Sequence, residues 1–133
     1  MEKNNLEILV VDDNLSFIQS FEMLLRSVLG SNLKKLDIAY NGREAIEKNS
    51  TQQGYDYIFM DVNMPELNGI VASKSINKEY YRKTKIIAIS FNSDIQTMKN
   101  MVFSGAIHYI NKAQITYDVI AKLFKEDNPI INQ

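Results

Sequence analysis

An unbroken apolar run, Ile58-Phe59-Met60, stops on a carboxylate at Asp61, and Pro65 and Gly69 turn the chain just beyond it. A short run with no polar alternation has both faces buried, the pattern of a central strand in a parallel sheet. Pro and Gly then keep the strand from continuing. Parallel neighbours need a crossover connection, so this one segment points to an α/β architecture. It also puts Asp61 in the crevice at the carboxyl end of the sheet, where open α/β folds bind ligands.

A second strand of the same kind, Leu6 to Val11, runs into Asp12-Asp13-Asn14. Side by side in one parallel sheet, the two strands bring Asp12, Asp13 and Asp61 to one edge. Three like charges there are costly without a cation. The natural one is Mg²⁺, a hard ion that takes carboxylates, a carbonyl and several waters. Two further strand ends complete the set: Lys85 to Ile89 delivers the hydroxyl of Ser90, and Ala106 to Ile110 delivers the ammonium of Lys112.

Helical spacing fills the gaps between these strands. After Asn14, a cap, Phe17, Ile18, Phe21, Leu24, Leu25 and Val28 recur at intervals of three and four, and Gly30 closes the segment. Leu33 to Tyr40 reads as the second strand and Asn41-Gly42 as a turn. Arg43 to Gln53 is the second helix, ended by Gly54, and Tyr57 to Met60 the third strand. Further helices are expected at about Gly69 to Tyr81, about Asp94 to Phe103, and Ile115 to Lys125, with Gly105 turning the chain into the fifth strand. Right-handed crossovers then give a flavodoxin-like (βα)5 fold: a five-stranded parallel sheet in the order 2-1-3-4-5 with five helices on both faces. The domain is expected over residues 1–127, with a polar tail or the start of a linker at 128–133.

With 133 residues the chain is one domain by size. A net charge of −1 gives no basic footprint for direct nucleic-acid binding. No Cys is present, which excludes a disulfide framework and a thiolate metal site. The apolar runs are too short for a signal segment or a membrane span, so the cytoplasm is the expected compartment. Asn14-Leu15-Ser16 and Asn49-Ser50-Thr51 match the glycosylation acceptor pattern and are read as chance matches in an Asn-rich chain.

Over essentially its whole length the chain resembles the receiver domains of two-component response regulators. The resemblance rests on Asp12-Asp13, on Met60-Asp61-Val62-Asn63-Met64-Pro65-Glu66-Leu67-Asn68-Gly69, on Ser90 after the fourth strand, and on Tyr109 three residues before Lys112. It implies that Asp61 takes a phosphoryl group from a sensor histidine kinase or a histidine phosphotransfer protein, with Mg²⁺ held by Asp12, Asp13, Asp61 and the backbone carbonyl of Asn63. Lys112 is then expected to pair with Asp61 and afterwards with a phosphate oxygen. The resemblance further implies that Ser90 binds the phosphoryl group and Tyr109 swings inward, relaying the change to the surface of the fourth helix, fifth strand and last helix, which is also a homodimer face. Two positions depart from the family pattern: Ala113 follows Lys112 where Pro is common, and the bulky Phe91 follows Ser90, narrowing access for water and small phosphodonors.

Residues outside that set have plainer readings. His108 stands without a His or Cys partner and reads as a surface or interface residue, and Phe17 and Phe21 read as core. Lys74, Lys78, Arg82, Lys83 and Lys85 read as a solvated helix face and turn. Three other functions compete. A phosphohydrolase of the haloacid dehalogenase type wants a second Asp two residues after the first, where Asn63 stands. An electron carrier of the flavodoxin type wants a phosphate-binding loop where Asp12-Asp13 would repel phosphate. A degenerate receiver that only binds partners would have lost an acid or Lys112. The expectation is therefore a switch whose only chemistry is its own phosphorylation and dephosphorylation, and not an enzyme of metabolism.

Overall fold

The computed structural model describes residues 5–64, 67–78, 84–91 and 94–127. Its strands are β1 (Leu6–Val11), β2 (Leu33–Ala39), β3 (Tyr57–Asp61), β4 (Lys85–Ser90) and β5 (Ala106–Asn111). All pair in parallel in the order β2-β1-β3-β4-β5, as the sequence led us to expect. Five helices alternate with them: α1 (Leu15–Leu29), α2 (Gly42–Gln52), α3 (Gly69–Asn77), α4 (Ile95–Phe103) and α5 (Tyr117–Asp127).

The period of two along each strand builds two cores. In β1, Leu6, Ile8 and Val10 pack with Phe21 and Leu25 of α1 and Phe124 of α5. Leu9 and Val11 face the other way, toward Ala45 of α2, Ala72 and Ile76 of α3, and Met101 of α4. The sheet is thus covered on both faces, which is why β1, β3 and β4 read as apolar runs without alternation. Aromatic rings tie the first core together. Phe21 meets Phe59 edge-on at 4.9 Å, and Phe124 meets Tyr57 in the same way at 4.8 Å.

The Asn-rich composition has a structural use at helix starts. Asn14, Asn41 and Asn68 each accept a backbone N–H of the first turn of α1, α2 and α3, at 2.9–3.1 Å, and Asp94 does the same for α4. Each such cap stabilises its helix by about 1 kcal/mol. These caps move two boundaries relative to the sequence reading. Asn41 caps α2, so Gly42 is its first residue and not part of a turn. The last helix starts at Tyr117 and not at Ile115, because Lys112–Gln114 form a 3₁₀ turn capped by the Asn111 side chain and Thr116 caps α5 through its hydroxyl. That turn also defines the loop after Lys112, with Ala113 in place of a proline. α3 ends at Asn77, where the Lys78 N–H tightens onto the Ser75 carbonyl at 3.2 Å. Pro65, Tyr81, Arg82, Lys83 and the tail from Asn128 lie outside the described residues.

Two glycines hold the segment after β3 in place through close backbone approach. The Gly69 N–H donates to the Val62 carbonyl at 2.9 Å, and a Cβ there would sit 2.1 Å from the Asp61 carbonyl oxygen. The Gly42 N–H donates to the Leu67 carbonyl at 3.1 Å, and a Cβ there would meet the same oxygen at 2.2 Å. Neither contact has a flexible side chain that can yield. Gly69→Ala should therefore destabilise the fold by about 2 kcal/mol or more and displace Asp61, read as a lower urea midpoint together with shifted Asp61 amide resonances.

Candidate functional site

The strand register carries the site residues to one rim. Val11 pairs with Met60, Asp61 with Ile89, and Ser90 with Asn111, so the residues that follow β1, β3, β4 and β5 emerge at the same height. Asp12, Asp13 and Asp61 come together there, with one carboxylate oxygen of each within 4.8 Å of the others. Asp12 is fully buried: its N–H donates to the Ala39 carbonyl at 3.0 Å, and its Oδ1 accepts the Asn14 N–H at 2.9 Å. Asp13 faces solvent and Asp61 is buried.

Lys112 reaches in from the end of β5 with its side chain only 6% exposed. Its Nζ lies 2.5 Å from Asp12 Oδ2 and 3.4 Å from Asp61 Oδ1, so it pairs with Asp61 and more closely with Asp12, a partner the sequence did not point to. The reason is burial. Asp12 has no exposed surface at all, and leaving it unpaired would cost more than leaving the slightly exposed Asp61 the longer contact. The ammonium also sits 4.4 Å from the ring centre of Phe17 and 5.5 Å from that of Phe91. Asp61, Asn63, Ser90, Phe91 and Lys112 line one cleft of about 410 Å³. Ser90 is buried and Phe91 is 68% exposed, at the border of the cleft.

Tyr109 stands apart from this group. It is half-buried against the core under α2, α3 and α4, and it borders an apolar groove of about 430 Å³ formed with Ile95, Met98, Lys99, Val102 and Phe103 of α4. His108 is half-buried in β5. Phe17, read from sequence as core, has one face on Phe21 at 5.3 Å and the Lys112 ammonium over its ring. Helical spacing alone marks it as an inward-facing residue and gives no hint of the ammonium, which arrives from the turn after β5, 95 positions away.

Electrostatics favour a cation here. Burial raises the Asp61 carboxyl from its ordinary 3.8 to about 6, and Asp12 and Asp13 push the same way, while Lys112 opposes them. Asp12 Oδ2 is buried and receives no well-directed hydrogen bond beside its ion pair. Among the described residues three carboxylates against one ammonium leave excess negative charge, and a set of hard oxygen donors with an exposed member at Asp13 fits Mg²⁺.

The sign of the stability effect follows from the raised Asp61 value. Between about pH 4 and 6 the folded chain keeps a proton that the unfolded chain has released, so this group's contribution falls as pH rises through that window and stays low above it. Metal-free Asp61→Asn should therefore be more stable than the native chain at pH 7, by on the order of 2 kcal/mol, with the gap closing toward pH 4. Mg²⁺ should raise the native melting temperature at pH 7 and much less at pH 5, where Asp61 is largely protonated; calorimetry over this range checks both.

The response regulator receiver domain family matches residues 8–124. The chain is 30% identical over 106 residues to the chemotaxis protein CheY of Treponema pallidum, covering 79% of this chain and 71% of that one. It is 28% identical over 114 residues to the osmosensing histidine protein kinase SLN1 of Saccharomyces cerevisiae, covering 83% of this chain but only 9% of that protein. Among solved structures, the receiver domain of a Pseudomonas aeruginosa sensor histidine kinase, with a magnesium ion in its active site cleft, superposes with a TM-score of 0.77 at 27% identity, covering 92% of this chain and 96% of that one. The site at the strand ends and the family match agree, and the chain belongs to the response regulator receiver domains, the phosphoacceptor switches of two-component signalling.

Proposed function

We propose that Asp61 is the phosphoacceptor of this receiver, that Lys112 and Ser90 act with it, and that residues 1–127 form the switching unit. The observation that carries the reading is the meeting of Asp61, Ser90 and Lys112 in one cleft beside the Asp12-Asp13 pair. A carboxylate oxygen of Asp61 attacks the phosphorus of a phosphohistidine; the P–N bond breaks as the P–O bond forms, and the imidazole leaves with the electron pair and takes up a proton. The Lys112 ammonium neutralises charge on the phosphoryl oxygens, and the Ser90 hydroxyl donates to one of them. Asp12, Asp13, Asp61 and the Asn63 carbonyl would hold Mg²⁺, which supplies further charge neutralisation during transfer. Attack of water on the same phosphorus later expels Asp61 and releases phosphate, so the chemistry is confined to the protein's own modification.

The conformational half of the reading runs through Ser90 and Tyr109. A phosphoryl group adds up to about two negative charges beside Ser90. Moving a 1:99 population to 99:1 takes about 5.5 kcal/mol of preference for the active state. Tyr109 lies on β5 beside the α4 groove, where it would carry the change to the α4-β5-α5 surface, and the apolar side chains of Ile95, Val102 and Phe103 left open there support that surface as the place where a partner or a second copy docks. Among the described residues no helix is long and apolar enough to cross a membrane, and the near-zero net charge speaks against direct nucleic-acid contact. A cytoplasmic switch served by a sensor histidine kinase or a histidine phosphotransfer protein fits these properties.

Incubation with acetyl phosphate and Mg²⁺ should add one labile phosphoryl group, seen by intact mass, and the adduct should be absent from Asp61→Asn and from samples with chelator. A native chain that takes no phosphoryl group and also binds no beryllofluoride would instead be a partner-binding module, and the reading would fail.

A further inference from the structure

We propose that Phe17 is a positioning residue for Lys112, its ring face, aided by Phe91, holding the ammonium out of water so that it can pass from Asp12 to a phosphoryl group on Asp61. The inference rests on the reading of Asp61 as the phosphoacceptor and adds a residue to that site.

A closed circuit of contacts supports it. Asp12 Oδ1 accepts the Asn14 N–H at 2.9 Å, and Asn14 Oδ1 accepts the Phe17 N–H at 2.9 Å. The Phe17 ring lies 4.4 Å from Lys112 Nζ, and that ammonium returns to Asp12 Oδ2 at 2.5 Å. The cap of α1 therefore fixes the ring against the same lysine that its own Asp12 binds. From behind, Phe21 stacks on Phe17 at 5.3 Å and 18°, and Phe21 is wedged in turn against Phe59 of β3. The ring can neither turn away nor retreat without disturbing the core.

The physical advantage lies in what a ring does not demand. An ammonium has three N–H donors, and water in place of the ring would claim some of them. A ring face attracts the charge without a directed hydrogen bond, so the donors stay available to oxygen. The ammonium now lies nearer Asp12 than Asp61, at 2.5 against 3.4 Å. It has to move toward Asp61 when a phosphoryl group arrives there, and a nondirectional partner lets it do so without being rehydrated. Phe91, farther away and mostly exposed, contributes less.

The test replaces Phe17 in the full chain with 4-fluoro- and then 3,4,5-trifluorophenylalanine, which keep the ring's shape while draining charge from its face. Phosphorylation by acetyl phosphate at saturating Mg²⁺ should slow stepwise, reaching a drop of about two- to thirtyfold in the trifluoro chain and in Phe17→Leu, with Phe17→Trp restoring the rate. Melting temperature and Mg²⁺ affinity should stay level across the fluorinated series. Equal rates across that series would overturn the proposal. A second arm reads the geometry without phosphorylation: the Lys112 ε-methylene protons, assigned by their loss in Lys112→Arg, should resonate upfield and return toward the ordinary lysine position in Phe17→Leu. An ordinary position in the native chain would equally overturn it. A native chain with the upfield signal but neither phosphoryl uptake nor beryllofluoride binding would sink the phosphoacceptor reading, and the kinetic role with it, while leaving the ring contact itself established.

Discussion

Three carboxylates crowd within 4.8 Å where the strands end, and among the described residues only the Lys112 ammonium is placed to offset them. Much of the rest of the structure serves that arrangement. The buried pair of Asp12 and Lys112 sets where the ammonium rests, and burial together with two neighbouring acids raises the Asp61 carboxyl to about 6. A buried ion pair is weak evidence for stability, since desolvation offsets most of its Coulomb energy. Its retention here is better understood as function. The site is built to be short of positive charge, so that a cation and a phosphoryl group change its energy strongly when they come.

A site with this much stored repulsion needs a rigid frame. The two-sided core supplies it, with β1 and β3 buried on both faces and the rim residues extending directly from them. Backbone contacts at Gly42 and Gly69 clamp the segment after Asp61 at distances that admit no side chain, and side-chain caps fix the first turns of α1 to α4. The acids are thereby held near one another despite their repulsion, which is the condition for electrostatic preorganisation.

The opposite requirement appears at α4. Its exposed face carries Ile95, Val102 and Phe103, and the groove it forms with Tyr109 is almost wholly apolar in lining. In the chain alone this surface gains little from packing, and elements with few buried contacts have low local stability. That makes the α4 side easier to rearrange than the sheet, in keeping with a rigid chemical rim and a softer surface within reach of Tyr109.

The strand order, the helix alternation and the acidic rim were all legible from residues, because apolar runs of strand length report burial on both faces and a carboxylate directly after such a run has one place to go. The caps were legible only in part: Asn14 was recognisable, whereas Asn41-Gly42 read as a turn because Asn and Gly favour turns and helix starts alike. The delayed start of α5 depended on whether Asn111 and Thr116 would bond their own backbone, a competition between near-equal local structures. What the sequence by itself determined was which charges meet, since strand ends and periodicity are local properties. Only the tertiary structure decided how those charges are partnered: Lys112 leans toward Asp12 because Asp12 is the more deeply buried, and it rests on Phe17 because a helix cap and a ring stack bring together residues 95 positions apart. Desolvation and ring contact depend on distances that no local pattern encodes.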